Sequence, residues 1–278
     1  MIENFHKTSQ QCSKITTEIY STSFASAIRL LSSGIRADIH NIYGFVRFAD
    51  EIVDTFHDYN KQQLLNSFRD ETYKAIKEKI SLNPILNSLQ ITINKYQVDI
   101  ALIDSFFKSM YFDLDKNYYD ENLYQEYIYG SAESVGLMCL HVFCNNDKHM
   151  YNDLKDHAQR LGAAFQKVNF LRDLKADHEQ LDRMYFPNCN FKNFSSAEKT
   201  EIEKDIQNDF SFAYEGILKL PASARFGVYV AYKYYLSLFK KIKRMKPKSV
   251  LETRIRIADY SKILILFKAG LRHQFNIL

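Results

Sequence analysis

Glycine and proline are scarce in this sequence, with eight and four copies among 278 residues. Both residues mark tight turns, so their scarcity disfavours a fold of many strands joined by short turns and favours long helices. Cysteine is rare too. The four copies show neither CxxC pairing nor the spacing of a zinc site: Cys12, Cys139, Cys144 and Cys189. We therefore expect reduced, packed thiols in a cytoplasmic protein.

Long apolar runs are also missing. The most apolar tract, ILILF at 263–267, is far shorter than the ~20 residues that a membrane-spanning helix needs. The N-terminal stretch MIENFHKTSQQCSK lacks the apolar segment of a secretory signal. The sequence thus predicts a soluble protein, or one attached to a membrane at its periphery.

The basic residues are unevenly distributed. A net charge of +4 is too small to indicate nucleic-acid binding by itself. The segment KYYLSLFKKIKRMKPK at 233–248 nevertheless holds seven Lys and Arg and no acid. Such a segment could hold the protein at anionic lipid headgroups, on the inner face of the membrane. It is also typical of a solvated helix end, where lysines interact favourably with the helix dipole.

Helical periodicity recurs along almost the whole chain. In GIRADIHNIYGFVRFADEIVDTF, apolar residues at intervals of three and four form one stripe from Ile35 to Val53. A second stripe runs from Ala158 to Val168. The breaks between such segments are neither long nor polar enough to be domain linkers. We therefore predict an all-α fold, a single domain of residues 1–278 with about eight to ten helices.

Two acidic faces border these stripes. The stretch RFADEIVD at 47–54 places Asp50 and Asp54 four residues apart, on one helical face. The stretch QKVNFLRDLKAD at 166–177 places two amides and two carboxylates along another face: Gln166, Asn169, Asp173 and Asp177. Because both faces lie beside an apolar stripe, these side chains should point toward the interior or into a cavity within it.

The acidic pairs have a plain interpretation and a functional one. Such pairs are common on solvated helix faces, where Arg47 and Arg172 would be salt-bridge partners. An uncompensated carboxylate beside an apolar stripe is costly to desolvate, however, and hard oxygen donors on two facing helices suit Mg²⁺. No histidine lies on these faces, which disfavours zinc or di-iron chemistry. Since arginines such as Arg183 can bind phosphate oxygens and no P-loop motif is present, an organic diphosphate held through Mg²⁺ fits best.

At this point the chain resembles the squalene/phytoene synthase family, over roughly residues 15 to 270. Five segments carry the resemblance: YSTSF (20–24), IYGFVRFADEIVD (42–54), YIYGSAESVGLM (127–138), QKVNFLRDLKADHEQLDRMYFP (166–187) and RIRIADYSKILILF (254–267). The resemblance implies an isoprenoid synthase fold, in which helices surround a central active-site cavity.

The resemblance also implies roles for individual positions. Metal ions that bridge to diphosphate would be held by Asp50, Asp54, Asn169, Asp173 and Asp177. Diphosphate oxygens would be contacted by Arg47, Arg172 and Gln166, and by the early turn of Tyr20, Ser21, Thr22 and Ser23. Tyr43 and Tyr234 would line the substrate pocket, and Arg254 would reach a diphosphate from the C-terminal block.

Two positions depart from the family pattern. Position 20 is Tyr, where many members carry His before the hydroxyl-rich turn. The usual AGTVG stretch reads AESVG here, so Glu133 replaces a glycine. This extra carboxylate could face solvent, pair with an arginine or enter the cavity.

Members of the family join two allylic isoprenoid diphosphates through their C1 carbons. Metal and arginine charges stabilise the departing diphosphate, and an apolar, aromatic cavity keeps the carbocation from water. Among members, this sequence is most like bacterial phytoene synthases, and its C-terminus RHQFNIL carries no anchor helix. We therefore expect phytoene synthesis from two geranylgeranyl diphosphates through prephytoene diphosphate. Mg²⁺ or Mn²⁺ would be required, and NADPH would not.

Two alternatives stay open. A C30 dehydrosqualene or squalene synthase that uses farnesyl diphosphate would share every metal ligand and differ in pocket depth. A non-catalytic relative that acts as an assembly factor would keep the helical fold but lose acidic ligands, and both acidic motifs are intact here.

Overall fold

The computed structural model describes residues 1–115, 119–181, 185–187, 189, 194–252, 255 and 259–274. Inside helices, the side chains of residues 176–181, 259–261, 263 and 271–274 are outside the description. Arg183 and Arg254 therefore lie outside the described residues, and Asp177 is described only as a position on its helix. Every regular element in the described ranges is helical, which confirms the all-α prediction.

The helices follow one another through short connections, and one π-helical turn, Tyr129–Glu133, separates the seventh from the eighth. Their bounds are α1 Ile2–Tyr20, α2 Thr22–Ile28, α3 Ser33–Asp54, α4 Lys61–Glu78, α5 Pro84–Tyr96, α6 Ile100–Asp115, α7 Glu121–Ile128, α8 Ser134–Cys144, α9 Lys148–Leu181, α10 Ser196–Lys219, α11 Ala222–Lys243, α12 Pro247–Glu252 and α13 Asp259–Gln274.

The described residues thus form thirteen α-helices, more than the predicted eight to ten or so. The difference comes from short elements: α2, α7 and α12 have seven, eight and six residues. Helices of this length span about two turns, which is too few for an apolar stripe to stand out in the sequence.

Local signals set several helix ends. The side chain of Asn83 accepts hydrogen bonds from the first turn of α5, and Pro84 follows it at a position where a missing N–H costs nothing. Ser195 and Glu198 form the capping box that their spacing indicates, at the start of α10. Helix α4 ends at Glu78, because the capping residue Lys79 has a left-handed φ of 58° that stops the helical repeat.

The buried side chains form two hydrophobic clusters. One includes Phe45 and Phe106 and lies around α3, α5 and α6. The other includes Phe210 and Phe239 and lies around α9, α10 and α11. Val228 of α11 packs against both clusters. Each fully buried Phe contributes about 1.5–3 kcal/mol to folding, so the two clusters hold the helices in place. None of the described helices is both long and apolar enough to cross a bilayer.

Candidate active site

A cavity of about 760 Å³ lies between the two hydrophobic clusters. Its walls include Ile42 and Leu140 from the first cluster and Phe170 and Ile217 from the second. One part of the wall is polar and carries carboxylates, arginines and amides. The remainder is aliphatic and aromatic. The cavity therefore offers a charged region that is continuous with a large apolar volume.

The first acidic pair lies on the cavity wall. The apolar stripe of α3 is buried at Ile42, Ala49 and Val53. Asp50 and Asp54 lie beside this stripe on the helix, and both line the cavity. Desolvation raises the pKa of Asp50 well above its usual value, and the negative charge of Asp54 adds to the rise. Arg47 opposes the shift. The surroundings of Asp50 thus disfavour its charged form on balance.

The second polar face lies on the same cavity. Gln166, Asn169 and Asp173 of α9 all line it, as the sequence spacing predicts for one helical face. Asn169 Nδ2 donates to Gln166 Oε1 at 3.4 Å. Asn169 Oδ1 is buried and has no hydrogen-bond partner among the described residues. Asp177 follows four residues later on this helix, and its side chain is outside the description.

Two of the predicted arginines, Arg47 and Arg172, line the cavity together with the acidic faces. Arg47 forms an ion pair with Glu51, and its guanidinium carbon lies 4.4 Å from the ring centre of Tyr20. Its Nε is buried without a hydrogen-bond partner in the described part of the chain. Arg172 Nε donates to Asp173 Oδ2 at 3.0 Å. Of the plain salt bridges that the sequence allows, the one between Arg172 and Asp173 is therefore present, between two cavity-lining residues, whereas Arg47 pairs with Glu51.

The early hydroxyl-rich turn reaches the cavity through two of its four residues. Tyr20 and Ser21 line it, and the Ser21 side chain caps α2 by accepting from the backbone N–H of Phe24. Thr22 and Ser23 are not among the lining residues. Thr22 Oγ1 accepts instead from Lys262 Nζ of α13 at 2.9 Å. As the first residues of α2, these two have side chains on other faces of the helix.

The predicted tyrosines divide in the same way. Tyr43 lines the cavity, and burial raises its pKa to about 12. Tyr234 does not line it: its side chain is buried within the second hydrophobic cluster, and the neighbouring Tyr235 faces the cavity instead. Successive residues on a helix point about 100° apart. Tyr234 therefore lies in the hydrophobic cluster, although the next residue, Tyr235, lines the cavity.

Sequence reasoning missed a third carboxylate on the acidic wall. Asp113 of α6 is buried and lines the cavity, where its charge contributes to the raised pKa of Asp50. Tyr127 and Tyr185 donate hydrogen bonds to its two oxygens at 2.9 and 3.2 Å. Burial raises the pKa of Tyr127 well above its usual value, and the charge of Asp113 adds to this. In the sequence MYFDLD, Asp113 is followed by Asp115 two residues later, which lies on a different helical face, and no acid three or four residues away singles it out.

Glu133, which departs from the family pattern, does not line the cavity. Its carboxylate accepts a hydrogen bond from Gln159 Nε2 at 3.0 Å, on the side of α9 that faces α10. Arg160 lies close enough for its charge to lower the pKa of Glu133 against the larger effect of burial, which raises it. Glu133 therefore belongs to the polar contacts between the π-turn and α9.

The donor set at the cavity fits a hard divalent cation that is completed by a ligand. Among the described side chains, no three acidic, histidine or cysteine residues converge closely enough to hold an ion alone. Mg²⁺ is usually bound by one or two carboxylates together with substrate phosphates and water. The unsatisfied Asn169 Oδ1 and the raised pKa of Asp50 agree with a site that a bound cation would complete.

Comparisons with known proteins agree on one family. The squalene/phytoene synthase family model matches residues 18–260. A 4,4'-diapophytoene synthase of Staphylococcus haemolyticus is 26% identical over 267 residues, 91% of this chain and 88% of that protein. A phytoene synthase of Arthrospira platensis is 26% identical over 290 residues, 94% of this chain and 92% of that protein.

Solved structures show the same fold at lower identity. A dehydrosqualene synthase in complex with a ligand superposes with a TM-score of 0.83 at 19% identity, over 97% of this chain and 98% of that one. The squalene synthase HpnC from Alicyclobacillus acidocaldarius superposes with a TM-score of 0.76 at 17% identity, over 88% and 95%. The fold is thus the all-α isoprenoid synthase fold, and the chain belongs to the squalene/phytoene synthase family.

Proposed function

We propose that this protein is a phytoene synthase, which condenses two geranylgeranyl diphosphates through prephytoene diphosphate to phytoene. The observation that carries the proposal is the shared cavity: both acidic faces, Arg47 and Arg172 line one cavity, and most of its remaining lining is apolar. That combination suits a substrate with an anionic head and a long hydrocarbon tail. Family membership supports a prenyltransferase reaction on isoprenoid diphosphates.

Mg²⁺, or Mn²⁺ in its place, is part of the proposal. Asp50, Asp54, Asn169, Asp173 and Asp177 would hold it, each ion taking one or two of these oxygens. When bound, the metal supplies positive charge that stabilises a leaving diphosphate. Arg47 and Arg172 add fixed positive charge at the same wall, and Gln166 offers an amide donor beside them.

The apolar wall gives the chain two further tasks. Phe165 and Tyr235 stack at 3.9 Å between ring centres, and Phe24 lies 5.7 Å from Tyr235. All three line the cavity near Asn169 and Arg172, where ionisation would occur. Aromatic faces stabilise a carbocation, and the surrounding hydrocarbon side chains exclude the water that would quench it. Phytoene would then form by loss of a proton, without a hydride from NADPH.

A C30 synthase is the second candidate. A 4,4'-diapophytoene synthase is as similar to this chain as a phytoene synthase, and a dehydrosqualene synthase shares its fold with a TM-score of 0.83. Farnesyl diphosphate would meet the same polar wall and a shorter stretch of the apolar one. A non-catalytic assembly role is less well supported, because Asp50, Asp54 and Asp173 are all present on the cavity wall.

Product analysis decides between these functions. The purified protein is incubated with geranylgeranyl or farnesyl diphosphate, each with and without NADPH, and the hydrocarbons are identified by mass. We expect a C40 product from geranylgeranyl diphosphate that is unaffected by NADPH and lost when EDTA removes divalent cations. A C30 product from farnesyl diphosphate alone would replace the proposal with the second candidate, and the absence of any product would favour the non-catalytic role.

A further inference from the structure

A histidine lies on the cavity wall just beyond the first acidic pair. Asp54 is the last residue of α3, and His57 follows in the turn that leads to α4. Both residues line the cavity and both are exposed, so solvent reaches the cavity here. None of the site residues predicted from the sequence lies in this turn. The turn therefore supplies the cavity with a polar group that the acidic motif does not include.

The imidazole of His57 is held by hydrogen bonds on both sides of the turn. Its Nδ1 lies 3.0 Å from Nζ of Lys61, the first residue of α4. Lys61 Nζ also donates to the carbonyl oxygen of Val53 at 2.8 Å, in the last turn of α3. The backbone N–H of His57 donates to the carbonyl oxygen of Thr55 at 2.8 Å. These contacts fix the position of the ring before any ligand binds.

The contact with Lys61 also determines which ring nitrogen of His57 carries the proton. A lysine ammonium has three donors and no acceptor, so Nδ1 must accept the hydrogen bond. The proton of the neutral ring is then on Nε2. A protonated Nε2 has no lone pair for a metal ion, which excludes His57 from the metal ligands. It is a hydrogen-bond donor, and its natural partner is an anion.

We propose that His57 is a further diphosphate-binding residue, whose Nε2–H donates to a diphosphate oxygen, and that Lys61 positions it by fixing the tautomer. The inference rests on the proposed function, because a diphosphate held through Asp50 and Asp54 would lie at this part of the cavity. A hydrogen bond to a charged acceptor is stronger than one between neutral groups. After ionisation, the same donor would hold the inorganic diphosphate until it leaves to solvent.

His157, the other histidine among the described lining residues, has different surroundings. Its Nδ1 donates to the carbonyl oxygen of Phe212 at 2.8 Å, and the two rings stack with their centres 4.3 Å apart. Leu154 and Ala158 line the cavity beside it. It precedes Asn169 by roughly 18 Å along α9. His157 therefore lies at the apolar part of the cavity, away from the proposed diphosphate, and provides a matched control.

Binding of inorganic pyrophosphate tests the proposal without any turnover. Isothermal titration calorimetry with pure protein, MgCl₂ and pyrophosphate measures Kd in the absence of a prenyl substrate. We expect His57→Ala to raise this Kd about tenfold or more, because it removes a hydrogen bond to a charged group. His57→Gln, which keeps an N–H donor, should raise it less. His157→Ala should bind pyrophosphate like the wild type.

The positioning role of Lys61 needs a spectroscopic readout. Two-dimensional ¹⁵N–¹H spectra of the histidine rings at pH 8 identify His57 by the signals that His57→Ala removes. We expect the proton on Nε2 in the wild type and a mixture of both tautomers in Lys61→Met. Lys61→Met should also weaken pyrophosphate binding. Lys77→Met makes the same change in net charge at an exposed position of α4 and should alter neither measurement.

Several results would overturn the proposal: an unchanged Kd in His57→Ala, equal losses in His57→Ala and His157→Ala, a wild type that binds no pyrophosphate, or a ring proton on Nδ1 of His57. Ring signals unchanged in Lys61→Met would remove the role of Lys61. If pyrophosphate binding depends on His57 but no prenyl diphosphate yields a hydrocarbon, the proposed function fails while the binding residue stands. Circular dichroism confirms that each variant is folded.

Discussion

Two carboxylates differ in the cations that contact them: Asp209 at the contact between α9 and α10, and Asp50 on the cavity wall. On the face toward α10, Asp209 is 2% exposed and binds Lys167 at 2.7 Å and Arg160 at 3.1 Å. Asp205 also binds Lys167. On the cavity face, Asp50 has no salt bridge to any described residue, and Asp54 and Asp113 raise its pKa further.

The difference separates structure from function. The acids at the α9–α10 contact are neutralised by the chain itself, so they contribute to packing and specificity of the helix pair. On the cavity wall, burial and the neighbouring acids disfavour the charged form of Asp50, which costs folding free energy. A carboxylate held in this way is typical of a site whose partner arrives from outside. The predictions below test this contrast from the largest expected effect to the smallest.

Asp50→Asn should reduce kcat by about 10²–10³-fold or more, because it removes a proposed metal ligand from the diphosphate wall. The same change should not lower the free energy of unfolding in EDTA, since it removes a desolvated charge. Mg²⁺ should raise the melting temperature of the wild type and not that of the variant. Steady-state kinetics and thermal melts check these points, with Asp205→Asn as the control. Full activity of the Asp50 variant would contradict the cavity assignment.

Asp209→Asn should act in the opposite way. It leaves the buried Lys167 with one acidic partner, so we expect a loss of about 3 kcal/mol in unfolding free energy, measured by urea denaturation. Turnover per folded molecule should stay near the wild-type value. Asp205, whose side chain is 53% exposed, provides the matched control, and its Asn variant should lose less than about 1 kcal/mol. If Asp209→Asn instead lowered kcat and left the free energy of unfolding unchanged, Asp209 would belong to the catalytic site and not to the packing of α9 on α10.

Tyr127→Phe should lower kcat by about 10–100-fold, the usual range for a residue that orients a metal-site carboxylate. The change removes the hydrogen bond to Asp113 and keeps the ring in the core. Tyr73→Phe is the control, because Tyr73 donates to Asp104 away from the cavity. Equal activity in both variants would show that Asp113 has no part in the site.

Glu133→Gln should have the smallest effect and should change only the pH dependence of stability. Burial raises the pKa of Glu133 above its usual 4.5, so the folded state binds its proton more tightly than the unfolded state. The resulting stabilisation is complete below pH 4.5 and is lost as the pH rises through the folded-state pKa.

The Glu133→Gln variant lacks this titration, so its melting temperature relative to the wild type should increase as the pH rises above 4.5 through the folded-state pKa of Glu133. Thermal melts across this range measure the difference. If the melting temperatures of the variant and the wild type change in parallel with pH, the pKa of Glu133 is the same in the folded and unfolded states, and the prediction is wrong.

Parts of the site follow from helical periodicity. The stripe from Ile35 to Val53 is buried or half-buried, and the acids beside it face the cavity, because 3.6 residues per turn relates the two sets of positions within one helix. The same holds for Gln166, Asn169 and Asp173. Relations inside one helix need no knowledge of the fold.

Relations between helices could not be predicted in the same way. Asp113 reaches the acidic wall because α6 packs beside α3, and its hydrogen bonds come from Tyr127 and Tyr185, 14 and 72 residues away. The choice between Tyr234 and Tyr235 depended on how α11 is rotated against the second cluster. That rotation results from the packing of many side chains and not from the local pattern.

The sequence by itself determined the helical class, the two acidic faces and the family, because periodicity and motif spacing are properties of short segments. Only the tertiary structure decided that both faces share one cavity, that Asp113 joins them and that Glu133 pairs with α9. These facts depend on contacts between residues far apart in the chain, which arise when apolar stripes from different helices bury one another.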